Sequence, residues 1–260
     1  ASPKWFMGYS DNTNFTFLSA ILADTASIYG PCAPSFGMEP WDPSLQDALD
    51  LLTGKKLTFR SYPRWELESL RDEEHPLVPY NLTEETRVRA YAPVSEDALD
   101  PNKKCYGRSG GFLQETEDPV SVSGRLIGGC MDCLVNLSGT KYDKVSEFAE
   151  KYKEDGLIWF MESCELNNMS IRRSLWNFKE AGWFKHVNAF LIGRPATFFG
   201  ETLMGLDQYR AVLDILADFG VPVIMDCDFG HLPPSIPLIC GACANVTFAE
   251  HGITVEHILK

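Results

Sequence analysis

Lys4-Trp5-Phe6-Met7-Gly8-Tyr9-Ser10-Asp11-Asn12 is a short apolar run that ends in a polar turn, and Phe15, Leu18, Ile21 and Leu22 follow it on one helical face. The order predicted is a short buried strand over 4–8, a sharp turn, then a helix. A second short strand over 27–29 closes on Gly30-Pro31. A helix then opens with Asp42 as N-cap and Pro43 at its first position, and it stops before Gly54. These punctuated units read as α/β crossovers.

Outward from there the texture changes. A strand-like segment over 57–62 leads into a charged, proline-bearing stretch over 64–102 that reads as a linker or an elaborated surface loop. After Ser109-Gly110-Gly111 the chain turns strand-rich over 120–127, and Gly128-Gly129 and a polar loop lead to a helix near 144–152. Strand and helix then alternate, with strands predicted over 157–161, 189–193 and 221–226 and helices over 170–181 and 206–219. Two further strands, 244–248 and 254–258, finish the pattern. No internal repeat or low-complexity tract interrupts it.

The composition fits this α/β reading. Of 260 residues, 45% are hydrophobic and 23% charged, the balance of a globular chain with a real core. The net charge of −13 and pI near 4.8 disfavour phosphate backbones and anionic lipid surfaces, so nucleic acid and membrane are not expected partners. No apolar run approaches the roughly 18–20 residues of a membrane span. Ala1-Ser2-Pro3-Lys4 has no initiator methionine and no signal-peptide pattern, and it reads as a start inside a longer polypeptide. Eight cysteines lie mostly in apolar strand-like runs and read as reduced thiols. Cys130-x-x-Cys133 and Cys240-x-x-Cys243 could be halves of a zinc site, but their wide separation argues for a chain without metal. Five sequons, at Asn14, Asn81, Asn136, Asn168 and Asn245, read as chance, because Asn14 and Asn245 fall in stretches expected to be buried.

A serine on a sharp strand-to-helix turn is pushed out at the sheet edge, where a substrate can reach it and helix N–H groups can face a developing oxyanion. Gly8-Tyr9-Ser10-Asp11-Asn12 has that form, with Asn12 where G-x-S-x-G has its second glycine. The alternative is that Ser10 caps the following helix. A nucleophilic serine needs a base, and of His75, His186, His231, His251 and His257 only His231 follows a buried-looking strand in a Gly- and Pro-punctuated loop. A carboxylate should orient that imidazole. Glu162 ends the apolar strand 157–161, where an acid is costly without a partner. Glu165, Asp226 and Asp228 compete with it.

Together these residues resemble the serine LD-carboxypeptidase family, which includes the microcin C immunity peptidases. The resemblance rests on Pro3-Lys4 with Gly8-Tyr9-Ser10-Asp11-Asn12-Thr13 and on Ile28-Tyr29-Gly30-Pro31. It continues through Gly128-Gly129-Cys130, Leu137-Ser138-Gly139-Thr140, Phe160-Met161-Glu162, Ile192-Gly193-Arg194, Phe229-Gly230-His231 and Pro237-Leu238. It implies a Ser10-Glu162-His231 triad with the Asp11 N–H as one oxyanion donor. It also implies an α/β fold, in which the remnant of a class I glutamine amidotransferase-like parallel-sheet domain with its linker (1–95) precedes a mixed α/β LD-carboxypeptidase-like domain (96–260). A cytoplasmic homodimer without cofactor or metal is implied, as is a small peptide substrate such as murein tetrapeptide or a microcin-like peptide-nucleotide.

Two finer expectations concern the substrate. The stretch Tyr62-Pro63-Arg64-Trp65-Glu66 resembles the microcin-immunity branch and makes Trp65 a candidate for stacking on a nucleobase, with a packing anchor as its alternative. Arg194 could clamp a substrate carboxylate, or form a structural ion pair. In the family, further strands and a Gly-rich oxyanion segment precede the elbow, whereas nine residues precede Ser10 in this sequence. A chain beginning there is expected to bare a sheet edge and, short of one oxyanion donor, to lose roughly 100- to 1000-fold in rate.

Overall fold

The computed structural model describes residues 4–108 and 111–259. Pro3 of the opening motif and Ser109-Gly110 lie outside the described residues. The chain begins with α1 (Thr13–Ala23), β1 (Ser27–Tyr29) and α2 (Pro43–Leu52), followed by β2 (Thr58–Arg60), β3 (Arg64–Trp65), β4 (Glu84–Glu85) and β5 (Arg89–Val94). Next come β6 (Cys105–Arg108), β7 (Gly111–Thr116), β8 (Val120–Cys130), α3 (Met131–Leu137), α4 (Val145–Lys151) and β9 (Leu157–Glu162). The last part runs α5 (Asn168–Glu180), β10 (Val187–Gly193), α6 (Gln208–Leu216), β11 (Val223–Cys227), β12 (Leu238–Cys240), β13 (Cys243–Ala249) and β14 (Gly252–Ile258).

Helix starts follow local chemistry. The Asp42 carboxylate accepts from the Ser44 N–H at 2.9 Å, with Pro43 at the first helical position. Asn167 accepts from the Ser170 N–H and Asp207 from the Arg210 N–H in the same way. The cap at Asn167 is why α5 starts before the expected Ser170.

Among the described residues, ten strands form one sheet in the order β2-β14-β13-β8-β9-β10-β11-β5-β7-β6. β8 to β11 are parallel and are joined by crossovers through helices, while the flanks are antiparallel. The centre of the sheet is covered on both faces, so every residue of β9 is buried. Residues 6–8 lie along β1, with Met7 bridged in parallel to Ile28, and β1 pairs antiparallel with β12.

Four expectations change. Within 64–102, read as a linker or loop, β5 is an integral strand between β11 and β7, although the two-residue β3 and β4 fit a surface elaboration. β2 and β5 both pair with strands beyond residue 96, so strand pairing crosses the boundary expected at residue 95. The opening run is only partly covered, since Trp5 is exposed and Phe6 and Met7 are half-buried. Among the sequons, Asn14 is exposed and Asn245 half-buried, whereas Asn168 is the buried one, bonded to the carbonyls of Glu201 and Leu206.

Aromatic rings fasten the helices to the sheet. Trp183 stacks on Phe178 from α5 at 4.6 Å between centroids, on Phe17 from α1 at 5.5 Å and on Trp159 from β9 at 5.7 Å. It is fully buried and donates its indole N–H to Asp143. Trp183→Ala empties the point where three elements meet, and it is expected to lower the unfolding free energy by about 3–5 kcal/mol in a urea titration.

Candidate active site

The parallel strands end on one side of the sheet, and the loops there converge on Ser10. The Gly8 N–H bonds the Ile28 carbonyl at 3.1 Å, and the chain then turns so tightly that Asn12 N–H reaches the Tyr9 carbonyl at 3.2 Å. A Cβ at Gly8 would lie 2.6 Å from Asn12 Cγ, which is why the turn needs glycine there. Ser10 has φ of +60°, a conformation that costs a non-glycine residue on the order of 1–3 kcal/mol and is the strained geometry of a nucleophile elbow. Asn12 does not share it, since its φ is −63°. The missing second glycine of G-x-S-x-G therefore leaves the turn intact. Asp11 sits in the first helical turn, whose N–H groups have no intrahelical acceptor.

Glu162 is the last residue of β9, paired in register with Cys130 at the end of β8, and is fully buried. His231 follows β11 through Asp228-Phe229-Gly230. Gly230 has φ of +110°, and a Cβ there would come within 2.7 Å of Glu162 Oε2, so only glycine lets this loop close onto the carboxylate.

The side chains meet in sequence. Ser10 Oγ lies 2.9 Å from His231 Nε2, and His231 Nδ1 lies 2.7 Å from Glu162 Oε2. An ionised carboxylate only accepts, so the neutral imidazole carries its proton on Nδ1, and Nε2 is left to accept from the serine hydroxyl. Burial alone would lower the His231 pKa. The hydrogen bond and charge of Glu162, with the nearby charges of Asp132 and Asp11, outweigh it, and the net pKa lies above the ordinary histidine value.

Tyr29 closes the network. Its hydroxyl donates to Glu162 Oε1 at 2.5 Å and accepts the Ser10 backbone N–H at 3.3 Å. It thereby joins the strained turn to the carboxylate that holds the imidazole. Burial and the charge of Glu162 push its phenol pKa well up, so it stays a donor. Sequence reading noted Tyr29 only as part of a motif. The available signal was a tyrosine at the end of a buried strand, whose hydroxyl must find a partner.

The competing residues are engaged elsewhere. Asp226 accepts from Gln208 and Tyr209, and Asp228 from Arg194 and the Tyr62 N–H. Glu165 is exposed. His75, His186 and His251 are paired with surface carboxylates. His257 is buried against the Pro237 carbonyl, and burial lowers its pKa to about 4.

Trp65 and Arg194 stand apart from the cleft beside His231. Trp65 is 4% exposed, donates to the Glu85 carbonyl and packs edge-on against Phe199. Arg194 is 2% exposed, lies under the Trp65 ring and is paired with the fully buried Asp228. The roles expected for them, base stacking and carboxylate clamping, need a face open to ligand. The packing gives them those of a loop anchor and a structural ion pair.

Two hollows flank the Ser10 turn. One, of about 210 Å³, is lined by Tyr9, His231, Glu66, Ser69, Arg71 and Tyr80 among others. The other, of about 380 Å³, holds Ser10, Asp11, Asp132, Cys133 and Glu165. Cys133 Sγ contacts the Ser10 carbonyl and the Asp11 carboxylate, at 3.7 and 3.4 Å. Among the described residues, Cys130, Glu162 and His231 are the one trio whose ligand atoms could share a metal ion. Cys133, Cys240 and Cys243, which a paired C-x-x-C zinc site would need, are not in it.

Comparison with known proteins adds the following. Residues 123–246 match the LD-carboxypeptidase C-terminal domain. An inferred carboxypeptidase of Vibrio cholerae serotype O1 is 25% identical over 259 residues, which are 98% of this chain and 67% of that protein. The microcin C7 self-immunity protein MccF, solved with aspartyl sulfamoyl adenosine, superposes with a TM-score of 0.69 at 22% identity, covering 98% of this chain and 68% of the other. A muramoyltetrapeptide carboxypeptidase from Oxalobacter formigenes gives 0.62 at 17% identity, with the same shares of 98% and 68%. The solved structures share the fold, and the matched domain and the sequence relative support a peptidase of this type: residues 123–246 form an LD-carboxypeptidase C-terminal domain.

Proposed function

We propose that this protein is a serine peptidase that cleaves an amide in a small peptide by a Ser10-His231-Glu162 triad. The observation that carries the reading is the unbroken run from Ser10 Oγ through both imidazole nitrogens to a buried carboxylate, at 2.9 and 2.7 Å. Ser10 Oγ attacks the scissile carbonyl carbon while its proton passes to His231 Nε2. The imidazolium, steadied by Glu162, returns that proton to the departing amine as the C–N bond breaks. Water then adds to the Ser10 ester, losing a proton to His231, and the acid leaves as Ser10 regains its hydrogen. The Asp11 N–H serves the oxyanion.

The relatives support two candidate substrates: the terminal D-residue of murein tetrapeptide, or an aminoacyl-nucleotide of the type bound by MccF. Incubating the full-length protein with each substrate and following release of D-alanine or of aspartate by mass spectrometry tests the reading. Serine-dependent release from either supports it, and release from neither sinks it.

Two further results are expected. The activity needs neutral His231, and the raised pKa means that kcat/KM falls as pH drops, with a midpoint above the ordinary value of about 6.5. A pH–rate profile checks this, and a midpoint below that value contradicts it. Tyr29→Phe removes the donor to Glu162 and the acceptor for the Ser10 N–H. Losing one hydrogen bond to a charged group is worth about 1.5–3 kcal/mol. Kcat is expected to fall about tenfold or more with KM little changed, whereas a merely structural tyrosine would change thermal stability alone.

A further inference from the structure

The cleft beside His231 contains a cation that the triad does not use. Of the side chains lining it, Arg71 is the only permanently cationic one. Its Nε donates to the Val78 carbonyl at 3.0 Å, and its guanidinium lies 4.9 Å from the centre of the Tyr80 ring. These two contacts fix the plane of the fork. Its Nη2 is buried without a hydrogen-bond partner, and no carboxylate pairs with the guanidinium among the described residues. A buried charged donor without an acceptor is a cost that a bound anion removes.

The surroundings say which end of a substrate belongs there. Tyr9, adjacent to Ser10, lines the same cleft and sets its ring edge-on to His231 at 5.0 Å. The cleft has one acid in its lining, Glu66, whose carboxylate accepts the Asn81 N–H, whereas the hollow on the other side of the turn is lined by three, Asp11, Asp132 and Glu165, and by no cation among the described residues. An anionic portion of the substrate therefore finds a cation only on the Arg71 side, where the one acid is already engaged by a backbone N–H. In a C-terminal amino acid, the carboxylate is so few bonds from the scissile carbonyl carbon that its oxygens lie within about 5 Å of it. Arg71 and His231 line the same cleft, so an anion this close to the scissile carbon shares the cleft with the fork.

We infer that Arg71, positioned by Val78 and Tyr80, is the receptor for an anion on the leaving group, and that it makes cleavage selective for a substrate with a negative charge one residue or less beyond the scissile amide. The assignment rests on the peptidase reading of Ser10, His231 and Glu162. Two sources share the chemistry: the free carboxylate of a terminal amino acid and the phosphoryl-type group of a nucleotide.

The test is calorimetric titration of the full-length protein with N-acetyl-D-alanine, its carboxamide and AMP, repeated on Arg71→Met and Arg71→Lys. At least one anionic probe should bind the wild type about 10- to 100-fold more tightly than the neutral carboxamide, the range of a charge-assisted hydrogen bond. Which anion wins identifies the source. Arg71→Met should abolish the difference, and Arg71→Lys, which keeps charge but not the fork, should retain part of it. Equal binding of all three probes, no binding of either anion, or a preference that survives in Arg71→Met overturns the assignment. Fluorophosphonate labelling of the same proteins reports separately on the peptidase reading: anion binding without labelling at Ser10 would sink that reading and leave the receptor standing.

Discussion

Ser10→Ala is expected to eliminate turnover, with a fall in kcat on the order of a million-fold, the scale found when the nucleophile of a serine triad is removed. The change deletes one oxygen. The strained turn remains, because alanine must adopt the same φ of +60°, and the hydrogen bonds of Gly8, Tyr29 and Asn12 that define it involve backbone groups of residues 8–12. The thermal midpoint should therefore stay close to wild type, and substrate should still bind. Separating these effects is the value of the experiment: a variant that folds, binds and does not turn over identifies Ser10 as the attacking group. Retention of more than about one part in a thousand of wild-type kcat would exceed the residual rate that binding and oxyanion donors supply without a triad. That result would remove Ser10 from the mechanism.

Glu162→Gln is expected to cost about 10⁴-fold in kcat, the scale of an orienting carboxylate replaced by its amide. The cause lies in the direction of two hydrogen bonds. Tyr29 donates to one carboxylate oxygen, so a glutamine here keeps its carbonyl toward Tyr29 and turns its NH₂ toward His231 Nδ1. Facing a donor, Nδ1 must accept, the ring proton moves to Nε2, and the base can no longer take the hydroxyl proton of Ser10. The pH dependence gives a second, independent sign. Burial lowers the His231 pKa and the interactions with Glu162 raise it, so removing the charge leaves burial dominant. Whatever activity remains should have its acid limb moved to lower pH. A loss of rate with an unmoved limb would mean that Glu162 acts through packing.

Much of this arrangement was legible in the sequence because it is locally encoded. Asp42-Pro43 names a helix start, a strand run into Gly8-Tyr9-Ser10-Asp11-Asn12 names a turn, and an acid ending an otherwise apolar strand asks for a partner. What escaped depends on pairing across long stretches of chain. β5 hides in a charged, proline-bearing segment, because its place between β11 and β7 is set by partners more than 100 residues away on one side. Tyr29 reaches Glu162 across 133 positions, and no local pattern announces that contact. For Trp65 and Arg194 the sequence leaves a ligand role and a packing or ion-pair role both open, and only the fold shows Trp65 packed on Arg194 and Phe199 and Arg194 paired with buried Asp228. Arg71 lay unnoticed in the same loop-rich stretch as Trp65, since an arginine among charged neighbours gives no hint that it will have no counterion among the described residues.

The central claim is that Ser10 is a nucleophile activated by His231. The most direct measurement is peptide-mapped mass spectrometry of the full-length protein after reaction with a fluorophosphonate, at several pH values. The account predicts a single adduct on the peptide containing Ser10, formed faster as His231 loses its proton and absent from Ser10→Ala. An unmodified Ser10 peptide, or an adduct on another residue that persists in Ser10→Ala, would contradict it.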